Sequence, residues 1–324
     1  MSIATSRRDF LKMGVSAITM PVWGSLTGCQ AMPPLKIASQ VWPGYSFLYL
    51  AEQEGLFKGQ RVQLIETQNL AESSLLLSEG QVDGAALTLD EVLHIMDMGL
   101  ALKVILILDS SVGADVVMAN PSITRLEQLK GKKIGVETST LGTIMFAELL
   151  KASHLNREDV EYIPISTDHI YSWEQEKMDV IITYTPISDY FEKQGLINIF
   201  DSRQFTGRII DVLAVRSEVA QTHQQAVSAL VRGHFLALEQ WRNNPFDTHF
   251  ILAEILKLNP EESDRAFRGL NLPDFEFNYY YLTPPATELK RAAHEIAQIM
   301  LNNQLISQIP VIDDVFVADF LPGV

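Results

Sequence analysis

Acidic side chains stand where apolar runs of the sequence meet polar segments: Asp90, Glu91, Asp109, Asp115, Glu137 and Asp211. The clearest case is residues 104–118. Val104-Ile-Leu-Ile-Leu108 is an unbroken apolar run that suits a strand buried on both faces of a parallel sheet, although the pattern by itself also allows a short helix. It turns at once into Asp109-Ser110-Ser111-Val112-Gly113-Ala114-Asp115, followed by a second apolar run, Val116-Val117-Met118. Side-chain acceptors and free backbone N–H groups at the carboxyl end of a buried strand lie where open α/β sheets bind ligands. Carboxylates there attract positive charge. If two of them line one pocket, a bare anion is repelled and a solute with an amine or protonated nitrogen is favoured.

Hydroxyls and aromatics complete the candidate set. Glu137-Thr138-Ser139 leads into a predicted helix whose N-terminal N–H groups either receive a polar or anionic group or are simply capped. Two segments, residues 81–88 and 178–183, share a pattern: an apolar-Asp pair, then a strand ending in Thr88 or Thr183. This internal echo suggests two lobes of related build, with both threonines at matching strand ends. Trp42 and Tyr45 flank the turn at Pro43-Gly44 and either stack on a flat ligand or pack beneath the loop; Tyr184 is a third candidate ring. Thr88 and Glu91 have capping-box spacing, the simpler account of Glu91, while Asp90 either complements the helix dipole or points into the cleft. The expected ligand-binding residues are Trp42, Tyr45, Thr88, Asp90, Asp109, Ser110, Asp115, Glu137, Thr138, Ser139, Thr183, Tyr184 and Asp211. No catalytic residue and no metal ligand is assigned.

The elements that position these residues alternate strand and helix, the pattern of an α/β protein with a mostly parallel sheet in each lobe, flanked by helices. The chain leaves a first lobe after residue 115, builds a second over residues 116–215, and returns over residues 208–216. Residues 35–115 and 216–324 then form the first lobe, and two hinge crossings frame a cleft. Asn69 is a predicted N-cap, and Thr124 with Glu127 a second capping box. Residues 218–241, 246–256 and 287–301 carry helical periodicity and buttress the first lobe, with Tyr279-Tyr280-Tyr281 packed between helices.

The 324 residues suffice for two lobes with cores of their own, and 47% hydrophobic with 20% charged residues is ordinary globular composition. A formal charge of −15 argues against nucleic acid as a partner. The single cysteine, Cys29, excludes internal disulfides and multi-cysteine metal sites. Nucleophile-elbow, phosphate-loop, dinucleotide-binding and His-Glu-x-x-His motifs are absent, so no cofactor is expected. Ser6-Arg7-Arg8-Asp9-Phe10-Leu11-Lys12 resembles a twin-arginine export signal. The uncharged stretch after it, residues 13–26, is shorter than the ~20 residues a membrane-spanning helix needs, and suits a signal-peptide core. Leu26-Thr27-Gly28-Cys29 resembles a lipobox, so residues 1–28 read as a lipoprotein signal peptide, Cys29 as the lipidated residue and residues 29–34 as a tether.

The stretches Trp42-Pro43-Gly44-Tyr45, residues 49–57 and 80–85, Leu126-Glu-Gln-Leu-Lys-Gly-Lys-Lys-Ile-Gly-Val136 and residues 179–186 resemble solute-binding lipoproteins of bacterial ATP-driven (ABC) importers. The branch is that for nitrate, sulfonates, taurine and the thiamine pyrimidine precursor. The resemblance spans most of residues 35–216. It implies a type II periplasmic-binding-protein fold that closes by hinge motion on a small-molecule solute, a partnership with an ABC permease, and a monomer tethered by lipid on the periplasmic side of the envelope. Two rivals follow from it: a ligand-sensing lobe for a membrane receptor, and a same-fold enzyme of thiamine-pyrimidine synthesis. Such enzymes resemble cysteine-rich cytosolic chains, and one cysteine placed at the lipobox argues against that rival.

Overall fold

The computed structural model describes residues 33–323. The expected export signal and Cys29 lie outside the described residues. In chain order the elements are β1 (Leu35–Gln40), α1 (Ser46–Gln53), β2 (Val62–Thr67), α2 (Leu70–Ser78), β3 (Gly84–Thr88), α3 (Leu89–Asp97) and β4 (Leu102–Ser111). They continue with β5 (Asp115–Ala119), β6 (Lys133–Glu137), α4 (Thr140–Ser153), β7 (Glu161–Ile165), α5 (His169–Gln175), β8 (Val180–Tyr184), α6 (Ser188–Lys193) and β9 (Ile197–Asp201). The chain then forms β10 (Ile210–Arg216), α7 (Ser217–Thr222), α8 (Gln224–Asn243), α9 (Pro245–Ile255), α10 (Pro260–Ala266), β11 (Leu270–Asn271), α11 (Phe275–Leu282) and α12 (Thr287–Asn302).

Two mixed sheets result. Their orders are β11-β4-β10-β3-β1-β2 and β7-β6-β8-β5-β9. Apart from the short edge strand β11, each sheet has one inserted strand that opposes its neighbours: β10 lies antiparallel between β3 and β4, and β5 antiparallel between β8 and β9. The two sheets share one plan, with β4-β10-β3-β1-β2 of the first matching β9-β5-β8-β6-β7 of the second. The echo between residues 81–88 and 178–183 is this repeat, since β3 and β8 hold equivalent places. The inserted strands have a geometric cause. A chain leaving the carboxyl edge of one sheet reaches the facing edge of the other and must run away from the cleft, whereas the parallel strands run toward it.

Burial follows sequence pattern. Val104 to Leu108 of β4 are buried without interruption, as a strand covered on both faces requires. In the second lobe alternate residues serve opposite cores: Val117 packs with Phe146 and Phe200 on one face, and Met118 with Ile181 and Phe191 on the other. Asn69 caps α2 by accepting from the Glu72 N–H at 2.9 Å.

Several expectations are corrected. The return to the first sheet is complete by Ile210, because β10 pairs with β3 and β4 from its start; a lobe boundary at residue 215 would cut a strand of the first sheet. The capping box near residue 124 is one position later, between Arg125 and Gln128, whose Oε1 accepts the Thr124 and Arg125 N–H groups. The long helix expected over residues 218–241 breaks at His223 into α7 and α8. Of the three tyrosines, Tyr281 stacks on Phe277 at 4.2 Å between centroids, but Tyr280 is 68% exposed and faces solvent.

Candidate functional site

The strand plan brings one edge of each sheet to a shared cavity of about 90 Å³. From the first lobe come the carboxyl ends of β1, β3 and β4 (Gln40, Thr88, Asp109 and Ser111) and the start of β10, Asp211. From the second come the carboxyl ends of β6 and β8 (Glu137, Thr183, Tyr184) and the start of β5, Asp115. Register fixes the neighbours: Asp211 stands opposite Asp109 on one side and Thr88 on the other, and Asp115 opposite Tyr184. The first crossing, between β4 and β5, turns on Gly113 at φ +110°, a conformation that side chains with a Cβ rarely adopt. Ser111 Oγ holds this turn, accepting the Asp115 N–H at 3.1 Å and lying 2.7 Å from Ser202 Oγ.

Trp42, Tyr45, Thr138 and Ser139 also line the cavity. The Pro43-Gly44 turn presses backbone against Asp109: a Cβ on Gly44 would sit 1.6 Å from Asp109 Oδ2. The same oxygen accepts the indole N–H of Trp42 at 3.1 Å. Trp42 meets Tyr184 edge-on at 5.7 Å, and Tyr184 meets His169 at 5.1 Å, so an aromatic row crosses the cleft from lobe to lobe. Tyr45 is fully buried, so its ring is floor rather than a stacking face.

Two expected residues are placed elsewhere. Ser110 does not line the cavity; side chains alternate along a strand, so Asp109 and Ser111 face the cleft and Ser110 faces away. Asp90 is buried but turned to the Thr140 hydroxyl, and Glu91 accepts from Thr140 at 2.8 Å and from Ser74 at 2.8 Å. The capping-box account of Glu91 is therefore overturned: Thr88 makes no side-chain cap, and Glu91 joins α2, α3 and α4. Thr140 opens α4, with Ser139 as its N-cap accepting the Gly142 N–H at 3.0 Å. The positive end of α4 thus meets the protein's own carboxylates from the other lobe, which offset its attraction for an anion.

Among residues not assigned to the site from sequence, Ser111 and His169 line the cavity, and Thr140 reaches Asp90 and Glu91 beside it. His169 is buried, with Nδ1 2.9 Å from Thr183 Oγ1 and Nε2 2.8 Å from Glu137 Oε2. A neutral imidazole protonated on Nε2 satisfies both contacts, the threonine donating to Nδ1 and Nε2–H donating to Glu137. Hydroxyl, imidazole and carboxylate follow the order of a nucleophilic relay. An oxyanion developing at Thr183 would meet Asp115 and Glu137 across the same cavity, the opposite of the donors such chemistry needs. The row instead fixes the Glu137 carboxylate.

Among the described residues, no lysine or arginine lines the cavity. Burial pushes Asp109 up to about 7 and Asp115 up to about 6; Asp90, buried beside Glu91, is also raised to about 6. Asp211 is raised well above the ordinary range by burial and then by the charge of Asp109. Moving an unpaired carboxylate out of water costs several kcal/mol, so Asp109 and Asp211 hold a proton between them rather than two full charges. Asp211 Oδ1, Thr88 Oγ1 and the Tyr45 hydroxyl are buried at the cavity with no hydrogen bond of sound geometry.

Residues 42–247 match the family model described as NMT1/THI5 like. The ligand-binding component of an ABC-type import system from Staphylococcus aureus, with zinc bound, superposes with a TM-score of 0.72 at 14% identity, covering 90% of this chain and 99% of that one. The periplasmic aliphatic sulphonate binding protein SsuA from Escherichia coli gives 0.72 at 14% identity, with 88% and 98% covered. The desulfurization enzyme DSZB, as a mutant in complex with biphenyl-2-sulfinic acid, gives 0.64 at 15% identity, with 89% and 98% covered. These likenesses establish the two-lobed periplasmic-binding-protein fold. No curated protein matches the chain.

Proposed function

The chain belongs to the NMT1/THI5-like family, and from that membership we propose that it is the solute-binding component of an ABC importer. It closes on a small solute bearing an amine or a protonated nitrogen heterocycle and delivers it to a membrane permease. Lipid at Cys29 would hold it as a monomer on the periplasmic face of the envelope, following the signal-like residues 1–28. The observation that carries the solute's charge is the cavity wall, where Asp109, Asp115, Glu137 and Asp211 converge without a lysine or arginine. A sulfonate or nitrate would enter against that field, whereas a cation is attracted and finds the aromatic faces of Trp42 and Tyr184 beside it. Alternation between open and closed lobes about two crossings supplies the surface that a permease reads.

The rival enzymatic reading draws on the fold shared with DSZB. The only cysteine of the chain is Cys29, read as the lipidated residue, and among the described residues the cavity lining offers no thiol. The receptor-sensor reading shares the same binding step and differs only in the membrane partner.

The test is native mass spectrometry of mature protein purified without denaturant, with identification of the released molecule. A one-to-one adduct containing a basic nitrogen is expected. A sulfonate or nitrate adduct would keep the binding role and overturn the charge argument. Chemical conversion of the released molecule on re-addition would overturn the binding role itself.

A further inference from the structure

On the reading that the cleft holds a nitrogenous solute, we infer that this solute carries two separated cationic ends, one held by Asp109 and Asp211 of the first lobe and the other by Asp115 and Glu137 of the second. The strand plan supplies one carboxylate pair per lobe. Asp109 and Asp211 are register partners at the cleft edge of the first sheet, and Asp115 and Glu137 begin β5 and end β6 at the facing edge of the second. Trp42 and Tyr184 meet at 5.7 Å beside the cavity and give a linker between the two ends an apolar wall.

Three observations favour two charges over one. A single cation at one pole leaves the remaining negative charge of the other lobe's pair without a counter-charge across the cleft. Both poles carry a group prepared for a donor. Asp211 Oδ1 is buried without a hydrogen bond of sound geometry, the Tyr45 hydroxyl lies near it, and His169 fixes Glu137 through the 2.8 Å Nε2 contact. The charge is also spread: among the described residues, no group of three or more His, Asp or Glu side chains converges tightly enough to hold a metal ion. A compact dication therefore has no nest, and an organic dication has two. Such a ligand touches both lobes with charge-assisted bonds and so links its own length to closure.

The experiment is titration calorimetry at pH 7.5 and low salt, with n-butylamine, α,ω-diamines of three to six carbons, and butane-1-sulfonate as probes. We expect at least one diamine to bind at least about tenfold more tightly than butylamine, the gain from one added charge-assisted contact. D211N and E137Q should each remove that gain, and both substitutions conserve volume while relieving repulsion. D109N provides a second variant of the first pole should D211N not fold. Equal affinity for butylamine and every diamine, or sensitivity to only one of the two poles, overturns the two-ended ligand and leaves the amine reading standing. Binding of butane-1-sulfonate without binding of any amine overturns both. Absence of heat with all the diamines also overturns the proposal.

Discussion

Asp211 and Asp109 lie side by side on adjacent antiparallel strands, and the indole N–H of Trp42 is donated to Asp109. Two buried acids without a cation beside them keep a proton between them. On the proposed reading, a bound cation would replace that proton, so binding would be coupled to proton release and affinity would depend on pH.

For a ligand whose amines stay protonated, affinity should rise with pH. Asp109 sits near 7 and Asp115 near 6 in the free protein, so ligand binding at pH 5.5 must expel protons that are already absent at pH 8. We expect Kd to fall by roughly tenfold or more from pH 5.5 to 7.5, about one proton per site. Calorimetry in two buffers of different ionisation enthalpy reads the proton count directly. An affinity independent of pH over that range would contradict proton release from Asp109 and Asp115 on binding.

Stability of the ligand-free protein should move the other way. The native state holds protons on Asp90, Asp109, Asp115 and Asp211 that the unfolded chain, with carboxyls near 3.8, releases earlier. For Asp90, Asp109 and Asp115 this contribution is complete below about pH 4 and is lost as pH rises through 6 to 7; that of Asp211, raised well above the usual range, has the same sign. Asp201, lowered by its bond to Arg203, acts with opposite sign and loses its contribution below about pH 4. Thermal melts should therefore be highest near pH 4 and decline toward pH 7.5. D211N should flatten the decline, and ligand should restore stability at neutral pH.

Gly44→Ala should damage the site. The added methyl would lie 1.6 Å from Asp109 Oδ2, so either the turn or the carboxylate must shift. Overpacking of this kind costs about 1–3 kcal/mol. We expect a lower melting temperature and weaker ligand binding together. The double variant Gly44→Ala with Asp109→Ala, which removes the clashing carboxylate, should recover much of the stability but not the binding. Unchanged melting of the single variant would show that the loop has slack.

Thr140→Val should weaken closure rather than folding. Its hydroxyl reaches Asp90 and Glu91 of α3 from the first turn of α4, a contact made between lobes. The isosteric valine removes the one hydroxyl that both acids contact, while Glu91 keeps Ser74, at about 1–3 kcal/mol in the closed form. Small-angle scattering of the liganded variant should give a larger radius of gyration than the liganded parent, with affinity down by about tenfold. Equal compaction would place closure elsewhere.

Much of the fold was legible because buried strands in α/β proteins announce themselves. Val104 to Leu108 reads as a strand, and β4 runs on past the switch at Asp109 to Ser111 at the cavity edge. The same logic brought Glu137, Thr183 and Asp211 to the cavity. Where the reading slipped, a local rule met a longer-range fact. Alternation from Asp109 puts Ser111, not the expected Ser110, at the cavity. Glu91 has the spacing of a cap but is drawn instead to Ser74 and Thr140, partners outside its own helix. His169 opens α5 with no pattern around it, and only its approach to Glu137 and Thr183 gives it a place in the site.

Contiguous residues alone dictate which carboxylates stand at strand ends, because an apolar run and its polar boundary are local properties of the chain. The patterns ending at Thr88 and Thr183 likewise reveal two related halves without any coordinates. That these ends share one cavity is a fact of the folded molecule. β10 inserts between β3 and β4, and β5 between β8 and β9, and those registers set Asp211 against Asp109 and Asp115 against Tyr184. Strand order and register come from hydrogen bonds and packing between distant segments, and the proton shared by two acids exists only once those segments have met.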